Sequence, residues 1–191
     1  VAVYAICKNE AQFVERWMDS MSEADQVAVL DTGSADDTVR RLMDRGAEVV
    51  TEQIEPWRFD VARNRALELV SPQADICVCT DLDEVFHPGW REKLEAAWTA
   101  RATQARYRYT WSFNPDGSEG VVFWAEKIHA RYGYEWVHPV HEVLAYERPD
   151  YETVLAEGIQ LDHHADDTKP RSQYLPLLEM SVAECPNDDR N

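Results

Sequence analysis

The sequence predicts an α/β protein whose first half is a Rossmann-like, mostly parallel sheet and whose second half is antiparallel. Three observations carry that prediction. Over residues 1–86, short apolar runs alternate with amphipathic stretches in the order β-α-β-α-β-α-β, and the helices are long enough for parallel crossovers. The apolar runs of this half give way to polar loops rich in charge. Over 104–165 the pattern changes to alternating, aromatic-rich strands.

Residues 1–7 form an apolar run without a breaker, the pattern of a strand buried on both faces, and Lys8, Asn9 and Glu10 leave it. Phe13, Val14, Trp17, Met18 and Met21 recur at helical spacing and predict an amphipathic first helix. A second strand over 26–30 runs into Asp31, Thr32, Gly33 and Ser34, residue types that suit turns and helix caps. A helix over 37–45 stops at Gly46, and 48–51 is the third strand. A helix over 61–70 carries Arg63 and Asn64 in its first turn, Pro72 ends that segment, and 76–80 is the fourth strand.

Beyond Pro88 and Gly89 a helix is expected around 90–101. Residues 105–113 alternate aromatic with polar side chains, a turn follows at Asn114–Gly117, and 121–127 returns as a strand. This half is expected to shape a second binding cleft, with Trp111 and Trp136 buried as packing residues. His138, His141 and Glu142 form a compact polar cluster next to aromatics, and a strand over 154–162 delivers His163 and His164. Tyr174, Leu175, Leu178 and Val182 mark one face of a helix over 172–184.

The densest chemistry lies at 81–84, where Asp81, Asp83 and Glu84 follow the fourth strand around Leu82. In an extended segment Asp81 and Asp83 point the same way, and two like charges side by side are costly unless a cation separates them. Such oxygen ligands suit Mg²⁺ or Mn²⁺. A solvated acidic loop is the plain alternative. In open parallel sheets ligands collect at the carboxyl ends of the strands, where 8–10, 31–37 and 81–84 all fall.

Composition narrows the partners. A net charge of −17 leaves no basic stripe to neutralise nucleic-acid phosphates or an anionic membrane surface. No run is long enough to cross a membrane and no signal peptide is present, so a cytoplasmic protein, or one peripheral to the inner membrane face, is expected. Cys7, Cys77, Cys79 and Cys185 lack disulfide or zinc spacing and read as reduced thiols. The chain length suits one domain over 1–170, with its parallel half at 1–86 and its antiparallel half at 104–165. Residues 171–191 are expected to be a C-terminal helix.

Taken together, the 8–10 loop, the 30–38 turn, Arg63-Asn64, Asp81-Leu82-Asp83-Glu84, His141-Glu142 and His163 or His164 resemble family 2 glycosyltransferases with a GT-A fold. The resemblance runs over nearly the whole length. It implies transfer of a sugar, with inversion, from a nucleotide diphosphate donor, a UDP-sugar above all, to an acceptor hydroxyl on a glycan, a lipid-linked precursor or a protein. It also implies a Mn²⁺ or Mg²⁺ cofactor, a nucleotide-binding half at 1–86, an acceptor-side half at 104–165 and, as in some relatives, a C-terminal helix at 171–191 that leads into a helical-repeat region.

By the same resemblance, Ala5, Cys7, Asn9, Glu10, Asp31, Ser34, Arg63, Asn64, Asp81 and Leu82 belong to the nucleotide site. Asp31 would contact uracil or ribose, and Asp83 would ligate the cation. Asp81 would contact the ribose, the cation or its water. Glu142 is the catalytic base the resemblance implies, and a late histidine completes the metal site. Strand parity through Ile159 and Leu161 favours His163 over His164. Trp111 and Trp136 would stack on an acceptor sugar, with burial as their plain alternative; the others are turn capping for Asp31, surface ion pairs for Arg63 and a structural salt bridge to an arginine for Glu142. A non-catalytic nucleotide-sugar or carbohydrate-binding protein is the alternative function. A nucleotidyltransferase fits less well, because no Gly-rich phosphate loop follows the first strand.

Overall fold

The computed structural model describes residues 1–166 and 174–187. Its first half runs β1 (Ala2–Cys7), α1 (Val14–Ser20), β2 (Gln26–Asp31), α2 (Thr38–Asp44), β3 (Glu48–Thr51), α3 (Phe59–Glu68) and β4 (Ile76–Cys79). The second half runs β5 (Glu84–Phe86), α4 (Trp90–Ala97), β6 (Gln104–Thr110), β7 (Val122–Ala130), β8 (Tyr134–Val137), β9 (Val143–Tyr146), β10 (Thr153–His163) and α5 (Tyr174–Glu184). Eight strands form one sheet in the order β3-β2-β1-β4-β7-β6-β10-β5, and β8 pairs with β9 in a separate hairpin. Strands β1 to β4 are mutually parallel, while β7 runs antiparallel to both β4 and β6.

Strand β1, flanked by β2 and β4, is apolar throughout because both of its faces are covered. Val3, Ala5 and Cys7 face a layer that includes Trp17 and Met21 of α1, Leu42 of α2 and Trp90 and Leu94 of α4. Ala2, Tyr4 and Ile6 point the other way, onto Ala62, Ala66 and Leu67 of α3 and onto Trp136 of β8. Alternate side chains of one strand thus serve two cores. Cys77 and Cys79 lie in the second of these, as free thiols. Among the described residues, no helix is long and apolar enough to cross a membrane.

Two expectations are corrected, and one unanticipated element is added. The fourth strand ends at Cys79, and the acidic segment behind it is a turn rather than an extended strand. Glu84 N donates to Asp81 O at 3.0 Å, and Asp81 N donates to Glu84 Oε2 at 2.9 Å. The chain must turn here, because Leu82 folds into the core and β5 begins at Glu84 to pair with β10. Asp81 and Asp83 therefore do not share a direction as strand neighbours. Second, the polar cluster at 138–142 is the connection of the β8–β9 hairpin, which the aromatic sequence around it did not reveal. Third, Trp136 is buried as expected but Trp111 is 49% exposed, because it lies past the end of β6, where the sheet projects into solvent. The domain boundary expected at 170/171 lies outside the described residues.

Candidate active site

The carboxyl ends of β1, β2 and β4 meet at one edge of the sheet. Asn9 adopts φ 54°, a left-handed conformation that asparagine tolerates better than most residues. Its backbone N donates to Ser34 Oγ at 2.8 Å, and Ala35 N donates to Asn9 Oδ1 at 2.7 Å. Glu10 N donates to Thr38 Oγ1 at 2.7 Å, so the loops after β1 and β2 are laced together. Asp31 is buried and accepts from Gly33 N at 3.2 Å and Ser34 N at 3.1 Å. Its carboxylate thus shapes its own turn, the role that the capping alternative described. Burial and then Asp31 push the Cys7 thiol far up, and the side chains of Ala5, Cys7 and Leu82 are all core. What these three offer a ligand is backbone.

Arg63 is the hub of the site. Helix α3 carries it beneath the β4 turn, where its Nη2 lies 2.9 Å from Asp81 Oδ1 and its Nε 2.5 Å from Glu142 Oε1. Its Nη1 donates to Cys79 Sγ at 3.3 Å, and its guanidinium lies 5.2 Å from the Trp136 ring. The arginine is buried rather than a surface partner of surface acids. Asn64, one residue on and therefore about 100° around the helix, faces the hairpin instead. Its amide exchanges two hydrogen bonds with the Trp136 backbone, both 2.8 Å.

Strand β7 adds a second cation. Lys127 Nζ lies 2.5 Å from Glu84 Oε1 and 3.4 Å from Asp81 Oδ2, and Tyr109 donates its hydroxyl to Glu84 Oε1 at 2.7 Å. Burial opposes the Asp81 charge, but Arg63 and Lys127 outweigh it and hold that carboxyl well below the usual range. Burial pushes Glu84 the other way, and Lys127 offsets this only in part. The sequence placed Glu84 in its acidic cluster without a role, and Lys127 and Tyr109 were not singled out there. The available signals were the third carboxylate of the 81–84 cluster and a lysine at the end of an aromatic strand.

Asp83 meets a histidine. Its Oδ2 lies 3.3 Å from His163 Nε2, and His163 Nδ1 lies 2.9 Å from the Trp111 carbonyl oxygen. A carbonyl only accepts, so Nδ1 carries a proton and Nε2 is the nitrogen turned to Asp83. Histidine ligands of metals are oriented in this way, by a second bond from the other ring nitrogen. His164 contributes its backbone instead, donating N–H to Asp83 O at 2.8 Å, while its ring stacks on Phe113. Asp81 is turned onto Arg63 and Lys127 rather than toward this pair, a consequence of the turn at 81–84. Among the described residues, no group of three or more His, Cys, Asp or Glu is placed to hold a metal ion. An oxygen–nitrogen pair fits a cation that completes its coordination with ligand oxygens and water.

Glu142 is presented by a strained connection. His138 and His141 have φ 80° and 53°, and Phe59 N, at the start of α3, donates to Pro139 O at 3.0 Å. Left-handed non-glycine residues persist where surrounding structure over-determines them, and they concentrate at functional sites.

The chain is similar to known proteins in sequence family and in fold. The family model described as "Glycosyl transferase family 2" matches residues 2–153. The fold is similar to crystal structures of glucosyl-3-phosphoglycerate synthase from Mycobacterium tuberculosis. With Mg²⁺ and uridine diphosphate bound to that enzyme, the TM-score is 0.63 at 18% identity, over 98% of this chain and 80% of that one. With Mn²⁺ and UDP-glucose the TM-score is 0.59, again at 18% identity, over 98% of this chain and 79% of that one. The complex with phosphoglyceric acid gives 0.61 at 18% identity, over 98% of this chain and 80% of that one. The likeness establishes the GT-A fold.

Proposed function

This chain belongs to glycosyl transferase family 2, and we propose that it moves a sugar from a UDP-sugar to an acceptor hydroxyl with inversion and with the help of Mn²⁺ or Mg²⁺. That it is a nucleotide-sugar glycosyltransferase follows from the family. The donor nucleotide, the metal and the stereochemistry are the proposal.

The observation that carries it is the Asp83–His163 pair, held at 3.3 Å with His163 oriented from behind by the Trp111 carbonyl. Asp83 and His163 would hold the cation, while Asp81 stays bonded to Arg63 and Lys127. A divalent cation, when bound, offsets charge on a departing diphosphate. The chain's own cations, Arg63 and Lys127, keep Asp81 ionised and the turn rigid, so that its polar groups are set before the donor arrives. The backbone of the 5–10 and 31–34 loops, with Asn9, Glu10 and Ser34, would line the nucleoside.

Glu142 would be the base. Arg63 holds Oε1, and Oε2 makes no hydrogen bond among the described residues, so it can accept the proton of an incoming hydroxyl. An in-line attack opposite the departing diphosphate inverts the anomeric centre. Incubation with Mn²⁺ and a panel of nucleotide sugars tests the reading. Release of nucleoside diphosphate and a product of inverted configuration by NMR are expected, whereas release of pyrophosphate would overturn it.

A further inference from the structure

The β6–β7 hairpin carries large apolar side chains into solvent beside this site. Directly paired residues of antiparallel strands share a face. Tyr109 pairs with Phe123 and Arg108 with Trp124, so Phe123 and Trp124 lie on opposite faces. On the first face the rings lean on one another in sequence. Centroids are 5.0 Å apart for Tyr109 and Phe123, 6.2 Å for Tyr109 and Trp111, and 4.5 Å for Trp111 and His163. The planes of these pairs tilt by 32°, 30° and 24°. Tyr109 is covered by its neighbours, but Trp111 is 49% and Phe123 is 44% exposed. An aromatic wall therefore begins at the histidine that meets Asp83 and ends in open solvent.

The charges around the wall select its occupant. Lys127, 5.8 Å from the Tyr109 ring centroid, is already paired with Glu84 and Asp81. Arg108, on the opposite face, is paired with Glu119 at 2.5 Å. The segment closing the hairpin carries Asp116 and Glu119, and the chain as a whole has a net charge of −17. An anionic acceptor would find both of these cations already paired and would enter the field of a strongly acidic chain, and an anionic lipid surface would meet the acidic turn. A neutral ring with C–H groups on its face and hydroxyls at its rim fits: the C–H groups lie on the negative face of the aromatic rings, and a rim hydroxyl supplies the nucleophile.

We infer that the acceptor is an uncharged saccharide whose ring stacks on the Trp111–Phe123 face of the β6–β7 hairpin. The inference rests on the glycosyl-transfer reading and adds to it the class of acceptor.

The test combines transfer assays with direct binding. The protein is given Mn²⁺, nucleotide sugars and two acceptor sets, neutral oligosaccharides and phosphorylated acids such as phosphoglycerate. Saccharide binding is read separately by saturation-transfer NMR, which needs no turnover. Neutral oligosaccharides should be bound and glycosylated. Phe123→Ala should raise the acceptor KM about tenfold at unchanged kcat, Phe123→Tyr should restore it, and Trp124→Ala on the opposite face should leave it within twofold. Equal losses in Phe123→Ala and Trp124→Ala, or glycosylation of phosphorylated acids alone, would overturn the inference. Saccharide binding that depends on Phe123 but is never accompanied by nucleoside diphosphate release would retain this face and overturn the transfer reading instead.

Discussion

Arg63 donates its Nε–H to Glu142 Oε1 across 2.5 Å, joining helix α3 to the β8–β9 connection 79 residues further along the chain. The same guanidinium bonds Asp81, so one buried cation sets both the proposed base and the acidic turn. The contact looks structural, yet it leaves one Glu142 oxygen unbonded among the described residues.

Glu142→Gln separates the two roles. The amide keeps an oxygen for Arg63 but cannot take a proton at useful pH. Turnover should fall by about 10²- to 10⁴-fold with the UDP dissociation constant changed by less than about threefold. Unchanged turnover would reduce Glu142 to a partner of Arg63. Arg63→Met, in contrast, strands two carboxylates and should cost about 3–5 kcal/mol in urea melts.

Asp83→Asn addresses the cation. Calorimetry of UDP binding to the wild type should show an affinity gain of about 10- to 100-fold on adding Mn²⁺, and the variant should lose it. Wild-type protein in EDTA should then bind UDP as the variant does. An equal Mn²⁺ response in both proteins would remove Asp83 from the cation site.

His129 makes stability depend on pH. Trp136 Nε1 donates to Tyr4 Oη at 2.7 Å, and the Tyr4 hydroxyl donates to His129 Nε2 at 2.8 Å. The Nδ1–H of His129 goes to the Ala130 carbonyl at 2.8 Å, so the ring is satisfied only when neutral. Burial lowers its pKa from 6.5 to about 4. Between those values the unfolded chain binds the proton and the folded chain does not. This contribution is therefore complete above pH 6.5 and is lost as the pH falls toward 4, to a total of about 3 kcal/mol. Urea melts across that range should show the slope in the wild type and a shallower one in His129→Gln.

Tyr107 offers a gain. Its ring is buried against Phe86, but its hydroxyl has no hydrogen-bond partner among the described residues. Tyr107→Phe removes an unsatisfied polar atom and keeps the ring, so thermal melts should show no loss, or a gain of up to about 1 kcal/mol. A loss above that would mean that the hydroxyl is bonded in solution.

The parallel half was legible because its strands are buried on both faces and its helices are punctuated by Gly46 and Pro72. Loops 8–10, 31–34 and 81–84 therefore met at the sheet edge as expected. Strand parity placed His163, with Ile159 and Leu161 beneath it in the core. The β8–β9 hairpin was hidden because its aromatic residues, Tyr134, Trp136 and Tyr146, also pack against other elements and leave no clean alternation. Lys127 was hidden because a lone lysine on a strand reads as solvated until a buried glutamate lies opposite it.

The sequence by itself determined the fold class, the family and the cluster of acids at one edge of the sheet, since those depend on local periodicity and on spacing along the chain. The tertiary structure decided which partner each acid takes: Asp81 on Arg63 and Lys127, Glu84 on Lys127 and Tyr109, Asp83 on His163, and Glu142 on Arg63. It also decided that Trp111 stands open while Trp136 is covered. The reason is physical. Charge pairing and exposure depend on distance and burial, and residues 80 or more positions apart along the chain, such as Asp83 and His163, acquire both only when the strands between them are laid side by side.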